Sequence, residues 1–124
     1  MSSVPKCLTE YRDIIRTLSE LEAYRQSFEK KPKEFALAME IKFLDDQIDD
    51  LNHKLDLLEK KSSRIYKLLQ KQDVRAHFLA KLNFHCGYKW EEIAEMCGEE
   101  SVDALKACVY RALRDLRGKG YKFD

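Results

Sequence analysis

The sequence predicts an all-α protein, and three observations carry that prediction. Only two prolines and four glycines occur in 124 residues, both prolines in the first third, so long stretches hold no helix breaker. Leu37, Ile41, Leu44, Ile48, Leu51, Leu55 and Leu58 recur at alternating intervals of four and three, the spacing of a coiled-coil seam. Further on, Gly87, Gly98 and Ser101 bracket two short amphipathic segments, as in two helices joined by a tight turn. Together they predict a long helical hairpin or coiled coil over residues 1–72, followed by a three-helix helix-turn-helix domain over residues 73–124.

The first helix is expected from about Thr9 to Lys30, because Tyr11, Ile14, Leu18, Leu21 and Phe28 form one apolar stripe. Pro32 ends it and suits the first turn of a new helix. The second helix then runs from about Pro32 to Gln70, its register continuing through Ser62 to Ile65 and Leu69, with Ser62 and Ser63 as a weak point. Two partners could cover its seam. The first helix could fold back as an antiparallel hairpin, the entropically cheap choice. A second copy of the chain could pair in parallel through residues 33–70, since Ile41 and Ile48 at one seam position favour two strands. The first helix reaches only to about Leu55, so Leu58, Ile65 and Leu69 need the C-terminal helices or another subunit. Asp45, Asp46, Asp49 and Asp50, near Lys42 and Lys54, read as a solvated, ion-paired face. Phe43 lies outside the seam, as a packing or docking residue.

The third helix, about Asp73 to His85, is expected to turn Val74, Phe78, Leu79 and Leu82 to one side. The fourth, about Lys89 to Cys97, should point Ile93, Met96 and Cys97 inward, with Trp90 in the core and Gly98 closing it in the left-handed conformation. Ser101 caps the fifth, which runs to about Arg117 with Leu105, Cys108 and Leu113 inward, before a short tail from Tyr121.

Charge is segregated rather than one-sided. Charged residues make up 36% of the chain at a net charge of only +1. Glu91 to Asp103 holds six acidic residues and no basic one, whereas Ala104 to Asp124 holds six basic and two acidic. That is a local basic footprint of the kind a small DNA-reading element uses. No segment is a membrane span, the N-terminus has no apolar run, and the expected location is the cytoplasm. Cys7, Cys86, Cys97 and Cys108 form no C-x-x-C pair and read as reduced, with Cys86, Cys97 and Cys108 as buried free thiols. With His85 they match no zinc spacing, and no phosphate-cradling loop or nucleophile motif points to an enzyme or a cofactor.

Val74 to Arg117 carries Leu82, Phe84, Gly87, Glu92-Ile93-Ala94-Glu95, Gly98, Ser101 and Arg111-Ala112-Leu113-Arg114-Asp115-Leu116-Arg117. In this order and spacing the residues resemble the fourth conserved region of bacterial sigma factors and the sigma-like proteins of phages and mobile elements. With the preceding coiled coil, the segment looks most like small phage or prophage proteins of Gram-positive bacteria. The resemblance implies a transcriptional regulator whose last helix enters the major groove of duplex DNA, with RNA polymerase or a sigma factor as a further partner. It places Val102, Asp103, Lys106, Ala107 and Tyr110 at the DNA-facing positions. Lys106 is then the base or phosphate contact, and Tyr110, Arg111, Arg114 and Lys119 meet phosphates. The chain departs from the family pattern at Val102 and Ala107, where arginine or glutamine is common. Lys89 stands in place of a capping Ser or Thr, and Asn83 in place of arginine. Glu99, Glu100 and Asp103 crowd the leading end of the helix, which suits its dipole but repels phosphate. A competing expectation is therefore a protein-interaction module that keeps the fold without reading DNA.

Overall fold

Every regular element among the residues described in the computed structural model, 4–31, 35–99 and 101–123, is helical. Pro32 and Lys33, expected at the start of the second helix, and Glu100, expected at the acidic approach to the fifth, lie outside those residues. No helix is long and apolar enough to cross a membrane among the described residues.

Helix α1 spans Lys6–Glu29 and starts a turn earlier than Thr9. Pro5, at φ −59°, sets the chain for entry, and its carbonyl accepts from Leu8 N–H at 3.1 Å. The extra turn buries Cys7 and Leu8 completely. Helix α2, Phe35–Gln72, is unbroken for 38 residues. Ser62 does not break it: its buried hydroxyl donates to Leu58 O at 2.8 Å and is satisfied within the helix.

The two helices pack antiparallel. Arg25 of α1 pairs with Asp45 near one end, Tyr11 and Leu18 pack with Leu55 further along, and Cys7 and Leu8 share a core with Ile65, Tyr66 and Leu69 at the other end. Much of the seam is thus covered within one chain, with Leu44, Leu55, Ile65 and Leu69 buried and Leu37, Ile41, Ile48, Leu51 and Leu58 half-buried. Ile48, Leu51 and Leu58 close against α1, while Ile65 and Leu69 pass beneath the C-terminal helices.

Helix α3, Val74–Ala80, is capped by Asp73, whose Oδ1 accepts from Ala76 N–H at 3.1 Å. It continues into a wider π-helical turn over Lys81–His85, closed by Cys86 N–H to Lys81 O at 3.0 Å. Here the expected inner face is corrected. Val74 is 71% and Phe78 55% exposed, and the inward side is Ala76, Leu79, Ala80, Asn83 and Phe84. Two alanines let α3 approach the rest of the core closely, a signal that large-residue periodicity overlooks.

Helix α4, Trp90–Cys97, and helix α5, Val102–Gly118, complete the chain. The main core gathers Cys7 and Leu8 of α1, Ile65, Tyr66 and Leu69 of α2, and residues of α3, the π turn, α4 and α5. It therefore draws on both sides of residue 72.

Candidate nucleic-acid interface

The α4–α5 pair is set by local chemistry at both of its joints. Glu92 Oε1 accepts from Lys89 N–H at 3.0 Å, the half of a capping box that the third helical residue supplies. Gly98, at φ 68°, stops α4 in the left-handed conformation, and Glu99 N–H returns to Ala94 O at 2.9 Å. Ser101 Oγ then accepts from Ala104 N–H at 3.1 Å and opens α5. Trp90, Ile93 and Ala94 of α4 pack with Leu105, Val109, Ala112, Leu113 and Leu116 of α5. Trp90 lies edge-on to Phe84, with ring centroids 6.3 Å apart.

Two expectations for α4 are corrected. Met96 is 55% exposed and Cys97 is also exposed, because α4 is only eight residues long and its inward stripe ends at Ala94. The reading of Cys86, Cys97 and Cys108 as buried thiols also fails: Cys86 and Cys97 are exposed and Cys108 is half-buried, whereas Cys7 is the buried one. Burial and Asp73 push the Cys108 thiol up from its ordinary range. No three His, Cys, Asp or Glu side chains gather closely enough to hold a metal among the described residues.

α1 holds this pair in place through the loop ahead of α4. Asn83 is fully buried; its Oδ1 accepts from Arg12 Nη1 at 2.9 Å, and its Nδ2 donates to Tyr88 O at 2.7 Å. Arg16 Nε donates to Gly87 O at 3.1 Å. Gly87 sits at φ 82°, and a Cβ there would lie 3.1 Å from Ile15 Cγ2, so conformation and close approach both require glycine. Asn83, Arg12 and Arg16 were not among the expected site residues. Polar side chains on α1 carry no sequence signal that they will meet a loop some 71 residues away.

The expected contact residues divide by exposure. Asp103, Ala107, Arg111 and Arg114 are exposed along α5, and Lys106 is half-exposed. Val102 and Tyr110 are half-buried against the main core, so each offers only an edge. Lys119 Nζ donates to Gln72 Oε1 at the end of α2. Among the described residues, Lys106, Arg111 and Arg114 form no ion pair within the chain. Such cations remain available to an outside anion. Comparison of the chain with protein-family models, curated proteins and solved structures found no match.

Proposed function

We propose that the protein is a DNA-binding transcriptional regulator of the sigma region-four type, phage- or mobile-element-borne, in which α4 and α5 act as a helix-turn-helix carried on the α1–α2 hairpin. The observation that supports this reading most is the outer side of α5, where Lys106, Arg111 and Arg114 stand without carboxylate partners among the described residues. Cations of this kind release counterions when they meet phosphates, which drives association. With Asp103 at the leading end, Val102 half-buried and Ala107 offering one methyl group, base reading is narrow and phosphate contact dominates. With much of the α2 seam covered by α1 and the C-terminal helices, a single chain can present one α5 to the duplex.

Fluorescence anisotropy with a labelled mixed-sequence duplex tests this. Three phosphate contacts correspond to a slope of log K against log salt of roughly −2.7, and each neutralised cation removes about 0.9 from it. Lys106→Ala and Arg114→Ala should weaken binding in this way. An absence of binding at low salt, or a slope unchanged by both variants, refutes the reading.

A second reading, docking on RNA polymerase or a sigma factor, is favoured by a different feature. Tyr24, Met39 and Phe43 are 55%, 56% and 64% exposed and line one depression where α1 and α2 pair. Capture of polymerase without DNA, unaffected by Lys106→Ala and lost in Phe43→Ser, would support docking over DNA reading.

A further inference from the structure

Two residues on from each position of the α2 seam lies a second stripe of the same four–three spacing, running from Met39 to Lys71. Two residues turn about 200° around an α-helix, so this stripe lies on the side of α2 roughly opposite the seam. Every position along it is exposed, among them the large apolar side chains Met39, Phe43 and Leu57.

The charges of α2 are divided along its length rather than mixed. Phe35 to Glu59 carries seven carboxylates and two lysines, whereas Lys60 to Gln72 carries five basic residues and no carboxylate. One part is therefore −5 and the other +5, on a helix without net charge. Of these fourteen side chains only Asp45 forms an ion pair among the described residues, with Arg25 of α1. The ion-paired face expected around Lys42 and Lys54 is thus not formed, although four-residue spacing would allow it. The charges are left to an outside partner.

Their order selects that partner. Along the stripe, Asp46 and Lys71 stand equally far from the point midway between Leu57 and Lys60, and so do Asp50 and Lys67. A surface that is acidic on one side of a point and basic at the matching distance on the other is complementary to itself. A two-fold axis through that point repeats each acid–base contact. A parallel copy would instead set acid on acid and base on base, which works against pairing.

We propose that α2 pairs antiparallel with α2 of a second copy of this chain along this stripe. Asp46 faces Lys71 of the partner subunit, and Asp50 faces Lys67 of the partner subunit. Leu57, near the axis, lies over the aliphatic stem of Lys60 of the partner subunit. Phe43 comes level with Val74 of the partner subunit, an exposed apolar residue at the start of α3. Exposed ion pairs contribute little one by one, so the dimer is salt-sensitive and exchanges with monomer. It stands independently of the DNA reading, because α5 takes no part.

Sedimentation equilibrium of the full chain tests it. A mass of two chains is expected at low salt. Raising salt from about 0.01 M to 1 M shortens the screening length from about 30 Å to 3 Å and should weaken dimerisation at least tenfold. Asp46→Lys with Asp50→Lys should leave a monomer, and so should Lys67→Glu with Lys71→Glu. The chain carrying all four exchanges should dimerise again, because acid and base have only traded places. All four side chains are exposed and unpaired, so circular dichroism should show the parent's helix content in every variant, which separates lost pairing from lost folding. Lys106→Ala, on α5, should leave the mass unchanged. A monomer at millimolar concentration in low salt overturns the proposal. So does a dimer that salt strengthens or that survives either double exchange, since apolar contacts elsewhere would then hold the copies together. A fourfold variant that stays monomeric overturns the antiparallel pairing.

Discussion

Asn83 is the polar residue on which the orientation of the α4–α5 pair depends, and Asn83→Ala is the sharpest test of that role. Two hydrogen bonds disappear: the 2.9 Å bond from the charged Arg12 Nη1 and the 2.7 Å bond to Tyr88 O. A bond to a charged group contributes about 1.5–3 kcal/mol and a neutral one about 1 kcal/mol. Arg12 is left poorly compensated, because its Nε is already buried without a hydrogen bond and has only Asp13 Oδ1 at 3.8 Å. Tyr88 O retains only the long Arg16 Nη2 contact at 3.5 Å. The expected loss is therefore about 3 kcal/mol. For a chain of this length that lowers the melting temperature by roughly 10 °C. Urea unfolding followed by circular dichroism measures it, and Arg12→Ala alone and combined with Asn83→Ala gives the coupling between the two. A coupling of at least about 1 kcal/mol is expected for groups in direct contact. If Asn83→Ala costs less than about 1 kcal/mol, or if the two losses simply add, Asn83 does not anchor α1 to the loop.

Three further outcomes follow from the same structure. Gly87→Ala should destabilise by about 1–2 kcal/mol from the left-handed backbone alone, and by more once the 3.1 Å approach to Ile15 Cγ2 is included, as urea unfolding would read. Phe78→Ser should cost under about 0.5 kcal/mol because the side chain is 55% exposed, whereas Leu79→Ala at 1% exposure should cost about 2–5 kcal/mol, and equal losses would contradict the corrected face of α3. Burial and the nearby Lys81 lower the His77 pKa from 6.5, so the unfolded chain takes up that proton first. The stability tied to His77 is present above pH 6.5 and is lost as pH falls through 6.5 towards the lower folded-state value. The melting temperature should therefore drop as pH falls below 6.5, with a flatter profile in His77→Gln.

What the sequence determined by itself was everything set within a few residues. The Gly98 stop, the Ser101 cap and the apolar positions of α5 stand where local hydrogen bonding and helical period put them. The unbroken α2 and its seam were equally legible, since a four–three repeat depends only on helix geometry. Of the outward positions expected on α5, Asp103 and Ala107 are exposed, whereas Val102, Lys106 and Tyr110 are half-buried. Tertiary structure alone decided how those helices are used. It covers much of the α2 seam with α1 and the C-terminal helices of the same chain. It rotates α3 so that Ala76 and Ala80 face inward while Val74 and Phe78 face out, and it turns Met96 and Cys97 to the surface. It also joins Arg12 to Asn83 and Arg16 to Gly87, and brings Lys122 and Phe123 to the same depression as Lys60, Lys61 and Arg64. The physical reason is the range of the forces involved. Caps and periodicity act within one or two turns, whereas the burial of an asparagine depends on which distant segments meet.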